Sequence, residues 1–163
     1  MFIFRKKIIS DFFKKIFSPS RSVIQSKEYL FMKSQIKVCK DILNVGSSSK
    51  TVLGKNFFKI LAKDSKIINL DIKQGSNVDI VADAMNMPIK EKSYDMVICQ
   101  AVLEHISNPQ KAIAEIKRVL KPNGILYCTI PFLQGYHADP YDYQRLTLKG
   151  GELLLKDFKI IKK

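Results

Sequence analysis

Two histidines, His105 and His137, are the only imidazoles among the 163 residues of this chain. Histidine is the side chain best placed to take up a proton near neutral pH, and a positioned base can accelerate a reaction about 10²–10⁴-fold. His137 lies in GYHADPYDYQRLT, a stretch too rich in specific polar and aromatic side chains for a simple connector. It is the candidate base for an acceptor hydroxyl, or a ligand for that acceptor, with Tyr143 and Arg145 framing an acceptor that can be anionic. The structural alternative is a loop packed on itself through an Asp142–Arg145 pair. His105 follows Glu104, and the pair is either architectural or turned toward the same acceptor. Two histidines far apart in sequence and scattered aspartates lack metal-ligand spacing, so no metal is implied.

A second set consists of Gly46, Asp71 and Asp83. Gly46 ends an apolar run where the chain must turn sharply and let a ligand approach its backbone. Asp71 ends the next apolar run, where a carboxylate can accept both hydroxyls of a ribose. Asp83 and Ala84 could offer a carboxylate to an adenine amino group and a backbone N–H to its ring, or Asp83 could simply form a turn. The order of the three is more specific than any one alone.

The elements that must position these residues alternate. Short strands are expected at Ile42–Val45, Lys66–Ile72, Val78–Val81, Tyr94–Cys99 and Ile125–Ile130, and a sixth begins near Phe158. Helical spacing covers Thr51–Ala62 and Leu146–Leu155. A third helix is opened by Asn108 as N-cap and Pro109 at its first position, buries Ala112, Ile113, Ile116, Val119 and Leu120, and stops at Pro122-Asn123-Gly124. Such alternation implies right-handed crossovers and a mostly parallel sheet, which binds ligands at the carboxyl ends of its strands. Gly46–Lys50, Asp71, Asp83, Gln100–His105 and Pro131–Arg145 should therefore gather at one edge.

The stretches ILNVGSSS (42–49), INLDI (68–72), VDIVADAMNMPIKEKSYDMV (78–97), VLEHISNPQKAIAEIKRVLKPNGILY (102–127) and PFLQGYHADPYDYQRLT (131–147) together resemble a class I S-adenosylmethionine-dependent methyltransferase. The resemblance implies an α/β, Rossmann-like, doubly wound and mostly parallel sheet with helices on both faces, and S-adenosyl-L-methionine as cofactor. It further implies that Gly46 and Ser47 approach the methionine moiety and that Asp71, with Ile72 beside it, holds the ribose. By the same resemblance Asp83 and Ala84 bind the adenine, and Gln100 lines the methionine end. The family's acidic-x-Gly-x-Gly-x-Gly loop is here Asn44, Gly46, Ser48 and Lys50, so Asn44 stands where a charge would orient the loop. The family sheet also ends with an antiparallel seventh strand beside the fifth. The chain ends too early to supply it, so either the sheet closes differently or the fifth strand keeps an exposed edge.

Composition bounds the alternatives. With 46% hydrophobic and 26% charged residues the chain is globular, and three separated cysteines without a CxxC point to reduced thiols and a cytoplasmic setting. The net charge of +13 is spread along the sequence and carried almost wholly by lysine, which argues against nucleic acid as the first partner. Residues 1–40 read as a basic helical arm ahead of a domain over 41–163. From Arg5 to Ser18, paired apolar and paired polar residues put Ile9, Phe12, Phe13, Ile16 and Phe17 on one helical face. Residues 1–18 are thus a candidate peripheral contact with an anionic membrane at its inner surface, a lid, or a helix packed on the domain. No apolar run reaches the roughly 18–20 residues of a membrane span. The expected activity is methyl transfer to a small-molecule or glycan-linked acceptor at oxygen. The alternatives are a non-catalytic binding subunit and a basic RNA-binding methyltransferase.

Overall fold

The computed structural model describes residues 2–4, 34–47 and 64–162. The expected helices at Arg5–Ser18 and Thr51–Ala62 lie outside these residues, as do Ser48 and Lys50. Among the described residues the strands are β1 (Phe2–Phe4), β2 (Asp41–Val45), β3 (Lys66–Asp71), β4 (Ile80–Val81), β5 (Tyr94–Gln100), β6 (Leu120–Thr129) and β7 (Ile160–Lys162). They form one sheet in the order β4-β3-β2-β5-β6-β1-β7.

Five of these strands, β4-β3-β2-β5-β6, run parallel, as the alternating pattern predicts. Their apolar residues are buried in succession: Met96, Val97, Ile98 and Cys99 on β5 are fully enclosed, because helices and loops cover what a one-sided sheet would leave wet. Strand order reverses between β2 and β5, since β2 is followed in sequence by β3 on one side and flanked by β5 on the other. The crevice beyond that point is where an open α/β sheet takes its ligands.

At the far edge the sheet closes differently, the first of the two alternatives: in place of a strand from the end of the chain, β1 pairs antiparallel with β6 (Phe2 with Cys128, Ile3 with Tyr127, Phe4 with Leu126) and antiparallel with β7 on its other side. The edge of β6 that would invite aggregation is thereby covered. Phe2–Phe4 consequently belongs to the sheet and not to a separate helical arm.

Helix α1 (Pro109–Val119) begins as the sequence indicates: Asn108 Oδ1 accepts the Lys111 N–H at 3.0 Å, and Pro109 occupies the first turn. A cap of this kind contributes about 1 kcal/mol. Ala112, Ile113, Ile116 and Val119 are its buried stripe. They join Leu43, Val45, Leu70, Val97, Leu126 and Leu155 in one core. The chain leaves α1 directly into β6, so Pro122-Asn123-Gly124 lies at the irregular start of that strand and not in a separate turn. Helix α2 spans Leu148–Leu154, with Thr147 Oγ1 accepting the Gly150 N–H at 3.1 Å.

Candidate active site

A cavity of about 550 Å³ opens at the carboxyl ends of β2, β3, β4 and β5. That volume suits a drug-sized ligand. Its wall includes Gly46, Asp71, Ile72, Asp83, Ala84, Gln100, His105, His137 and Tyr143, all singled out in the sequence.

Gly46 has φ +72, and a β-carbon there would stand 2.2 Å from Val102 Cγ2. Only glycine fits both the backbone angle and the space. Asp71, the last residue of β3, is buried, and its Oδ1 accepts the Lys73 N–H at 2.9 Å. The Asx turn so formed fixes the carboxylate at the rim. Asp83 forms the turn that was its alternative reading: its Oδ1 accepts the Met85 N–H at 2.8 Å, and its carbonyl accepts the Asn86 N–H. A clamp from α1 holds that turn in place. Arg118 donates to the carbonyls of Ile89 and Met87 and, at 2.7 Å, to both oxygens of Glu115, whose Oε2 also accepts the Met87 N–H. The Arg118 guanidinium outweighs partial burial and holds the Glu115 carboxyl below its usual range.

The other end of the cavity is built by two segments. Strand β5 leaves the sheet through Ala101, whose φ of 51 is uncommon for a residue with a β-carbon. A 3-10 turn, Leu103–His105, follows. The 131–147 segment is bound onto that turn: Tyr143 N–H donates to Glu104 O at 2.8 Å, and Gln144 Nε2 donates to Leu103 O at 3.1 Å. Segment 131–147 is internally tied by Arg145, which donates to both carboxylate oxygens of Asp142 and to the carbonyls of Gln134 and Gly135. The Arg145 fork and the His137 backbone N–H hold the Asp142 carboxyl well below the usual carboxylate range.

These contacts bring His105 and His137 together, with ring centroids 4.9 Å apart. Between them lies Glu104, fully buried, whose Oε1 is 3.9 Å from Nε2 of each histidine. Neither Glu104 oxygen has a hydrogen-bond partner among the described residues. Burial pushes its carboxyl upward, against the opposing pull of its backbone and of His105, His137 and Arg145. The grouping was invisible in the linear spacing, because the loop after β6 must fold back over β5 to create it.

Three expected residues stand elsewhere. Asn44 is not on the cavity wall, and its amide donates to Asn69 Oδ1 at 3.0 Å across β2 and β3. Ser47 is buried beside the wall, and its hydroxyl has no partner among the described residues. Arg145 does not face an acceptor, since its guanidinium is committed to Asp142 and the loop carbonyls. Sequence reasoning also passed over Lys73 and Asp139, which pair at 2.5 Å on the cavity wall. The adjacency of Lys73 to Asp71 was its only signal.

A profile described as a methyltransferase domain matches residues 46–128. The chain belongs to this methyltransferase family. Among curated relatives it is 37% identical over 95 residues to a tRNA (carboxymethyluridine(34)-5-O)-methyltransferase of Arabidopsis thaliana, covering 55% of this chain and 23% of that one. It is 29% identical over 119 residues to the demethylmenaquinone methyltransferase of Oceanobacillus iheyensis, covering 71% and 50%. The chain therefore spans half or less of these relatives' lengths. The fold matches a SAM-dependent methyltransferase of Aquifex aeolicus (TM-score 0.58, 16% identity, 86% of this chain and 88% of the other). It also matches the [4+2]-cyclase SpnF (TM-score 0.63, 21% identity, 92% and 62%). The family's cofactor is S-adenosylmethionine, and the cavity fits it on three observations. Gly46 leaves bare backbone at the crevice, the buried Asp71 carboxylate sits on the rim, and Gln100 Oε1 is buried without a partner among the described residues.

Proposed function

We propose that this family member transfers the methyl group of S-adenosylmethionine to an oxygen of a small-molecule or glycan-linked acceptor. One observation carries the reading: a single cavity has the Asp71 carboxylate in one part of its wall and two histidine rings in another. Bound there, the cofactor supplies an activated methyl on a sulfonium, so the protein's task is alignment and exclusion of water. In this reading Asp71 holds the ribose hydroxyls, Asp83 and the Ala84 N–H hold the adenine, and Gly46 and Gln100 face the methionine part. His137, with His105 beside it, manages the proton of the acceptor hydroxyl, and Tyr143 covers the acceptor.

A small acceptor is favoured over RNA by the wall of the cavity. Among the described residues its sole lysine or arginine is Lys73, already paired with Asp139. Phosphate-rich partners need more unpaired cations than that. The exposed tyrosines Tyr136, Tyr141 and Tyr143 offer instead flat apolar faces suited to a sugar or an aromatic ring. Among the described residues no helix is long and apolar enough to cross a membrane. A peripheral membrane role for residues 1–18 narrows to the stretch after Phe4, and unchanged sedimentation with anionic vesicles after its neutralisation would remove it.

Calorimetry with S-adenosylhomocysteine tests the central claim. Binding by the intact chain, weakened at least tenfold by Asp71→Asn, is expected. A folded protein that takes up no ligand at millimolar concentration overturns it.

A further inference from the structure

We propose that Glu104, His105 and His137 form a binding site for one divalent transition-metal ion of the zinc class, with its open positions facing the acceptor part of the cavity. The starting observation is an accumulation of acceptors with no donor. Glu104 is completely buried and neither of its oxygens receives a hydrogen bond from another described residue. The two Nε2 atoms at 3.9 Å from Oε1 are too far to supply one.

Hydrogen-bond partners assign the tautomers. His105 Nδ1 lies 2.5 Å from the Tyr141 carbonyl, which can only accept, so in the neutral ring Nδ1 carries the hydrogen and Nε2 the lone pair. His137 Nδ1 lies 3.0 Å from the Gly135 carbonyl, giving the same result. Arg145 Nη2 approaches that Nδ1 at 3.2 Å, but its two hydrogens go to Gly135 O and Asp142 Oδ2. Three lone-pair atoms consequently face one another, all within 4.8 Å. A cation is what such a pocket lacks.

Further features match the chemistry of metal ligation. Ligating histidines characteristically donate their other N–H to a backbone carbonyl, as both do here. Two imidazoles and one carboxylate suit zinc, cobalt or manganese, whereas magnesium and calcium prefer all-oxygen shells. Bonds of about 2.0–2.1 Å place tetrahedral ligands roughly 3.3 Å apart, so the 3.9 Å separations must close by about 0.6 Å and the widest pair, within 4.8 Å, by up to about 1.5 Å. Both histidines line the cavity, which leaves the remaining coordination positions open to a ligand. An acceptor hydroxyl bound to such an ion would release its proton more readily, and His137 would then serve as a ligand in place of the direct handling of that proton given to it above.

The ion's role in catalysis rests on the proposed methyl transfer, but its binding does not. The test is titration of the metal-stripped full chain with cobalt, followed by visible absorption, and with zinc by calorimetry. One equivalent with ligand-field bands is expected, weakened at least tenfold in His137→Asn and in Glu104→Gln. Should Glu104→Gln fail to fold, His137→Asn alone decides, because that residue sits on a partly exposed loop. No uptake by the wild type, or equal uptake by the folded variants, overturns the site. Asp71→Asn separates the two claims: it should lose S-adenosylhomocysteine while its cobalt spectrum stays unchanged.

Discussion

Val102 occupies the space that a side chain on Gly46 would need: Cγ2 lies 2.2 Å from the position of a β-carbon there. The loop that leaves β2 and the segment that leaves β5 are therefore pressed together at the point where strand order reverses. Gly46→Ala should cost about 1–2 kcal/mol for the positive φ and about 1–3 kcal/mol for overpacking. Thermal or urea unfolding measures this, and Val102→Ala added to Gly46→Ala should recover the packing part alone. A double variant no more stable than the single one would show that Val102 is not the obstacle.

In the proposed reaction Arg145 would act through His137. Its fork holds Asp142, whose Oδ2 accepts the His137 backbone N–H at 2.8 Å. Arg145→Ala should lower turnover about 10–100-fold by displacing His137. The Asp142 side chain is only 3% exposed, so losing its partner should also lower the melting temperature, and turnover is compared on folded protein. Arg145→Lys should not rescue, since an ammonium cannot make the paired bonds. Full activity in Arg145→Ala would show that the loop holds His137 without it.

At the opposite end of the sheet Asp95 carries a pH-dependent contribution to stability. Burial alone would raise its carboxyl, but the Asp41 N–H, Lys121 Nζ and Lys40 N–H all donate to it and hold it below the ordinary value. A depressed carboxyl stabilises the fold above its unfolded value of about 3.9 and loses that effect as pH falls through the folded value. Asp95→Ala should thus be less stable than wild type by about 1–2 kcal/mol at pH 7. The gap should close in acid, below about pH 4. Denaturant unfolding at both pH values reads it, and a constant gap would assign the effect to packing.

Ile3→Pro removes a backbone donor from β1, which is paired on both sides. A loss of about 3 kcal/mol is expected, with faster amide exchange at Leu126–Cys128 and greater aggregation in light scattering. Unaltered exchange there would mean that β6 does not depend on this cover.

Much of the architecture was legible because its signals are local. The Asn108-Pro109 cap, the apolar runs of β2 and β5 and the change of period between them need only neighbouring residues to be read. Asp71 and Gln100 followed from their places at strand ends. What escaped depends on contacts between distant segments. Phe2–Phe4 is too short to show a period, and the basic run after it reads as a helix. Asn44 was assigned from a loop pattern, yet its amide finds Asn69 on the adjacent strand. Arg145 has the type of residue that binds an acceptor, and only its spacing from Asp142 hinted at an internal pair. The Glu104, His105 and His137 group depends on two segments crossing, which no window of sequence contains.

The position of β1 sets an order of assembly. A growing polypeptide cannot seat Phe2–Phe4 until Leu126–Cys128 has emerged from the ribosome, and among the described residues β7 in turn pairs only with β1. Phe2–Phe4, synthesised before the strand they cover, are thus among the last to find their place, and until then the flank of β6 is open to any other extended peptide.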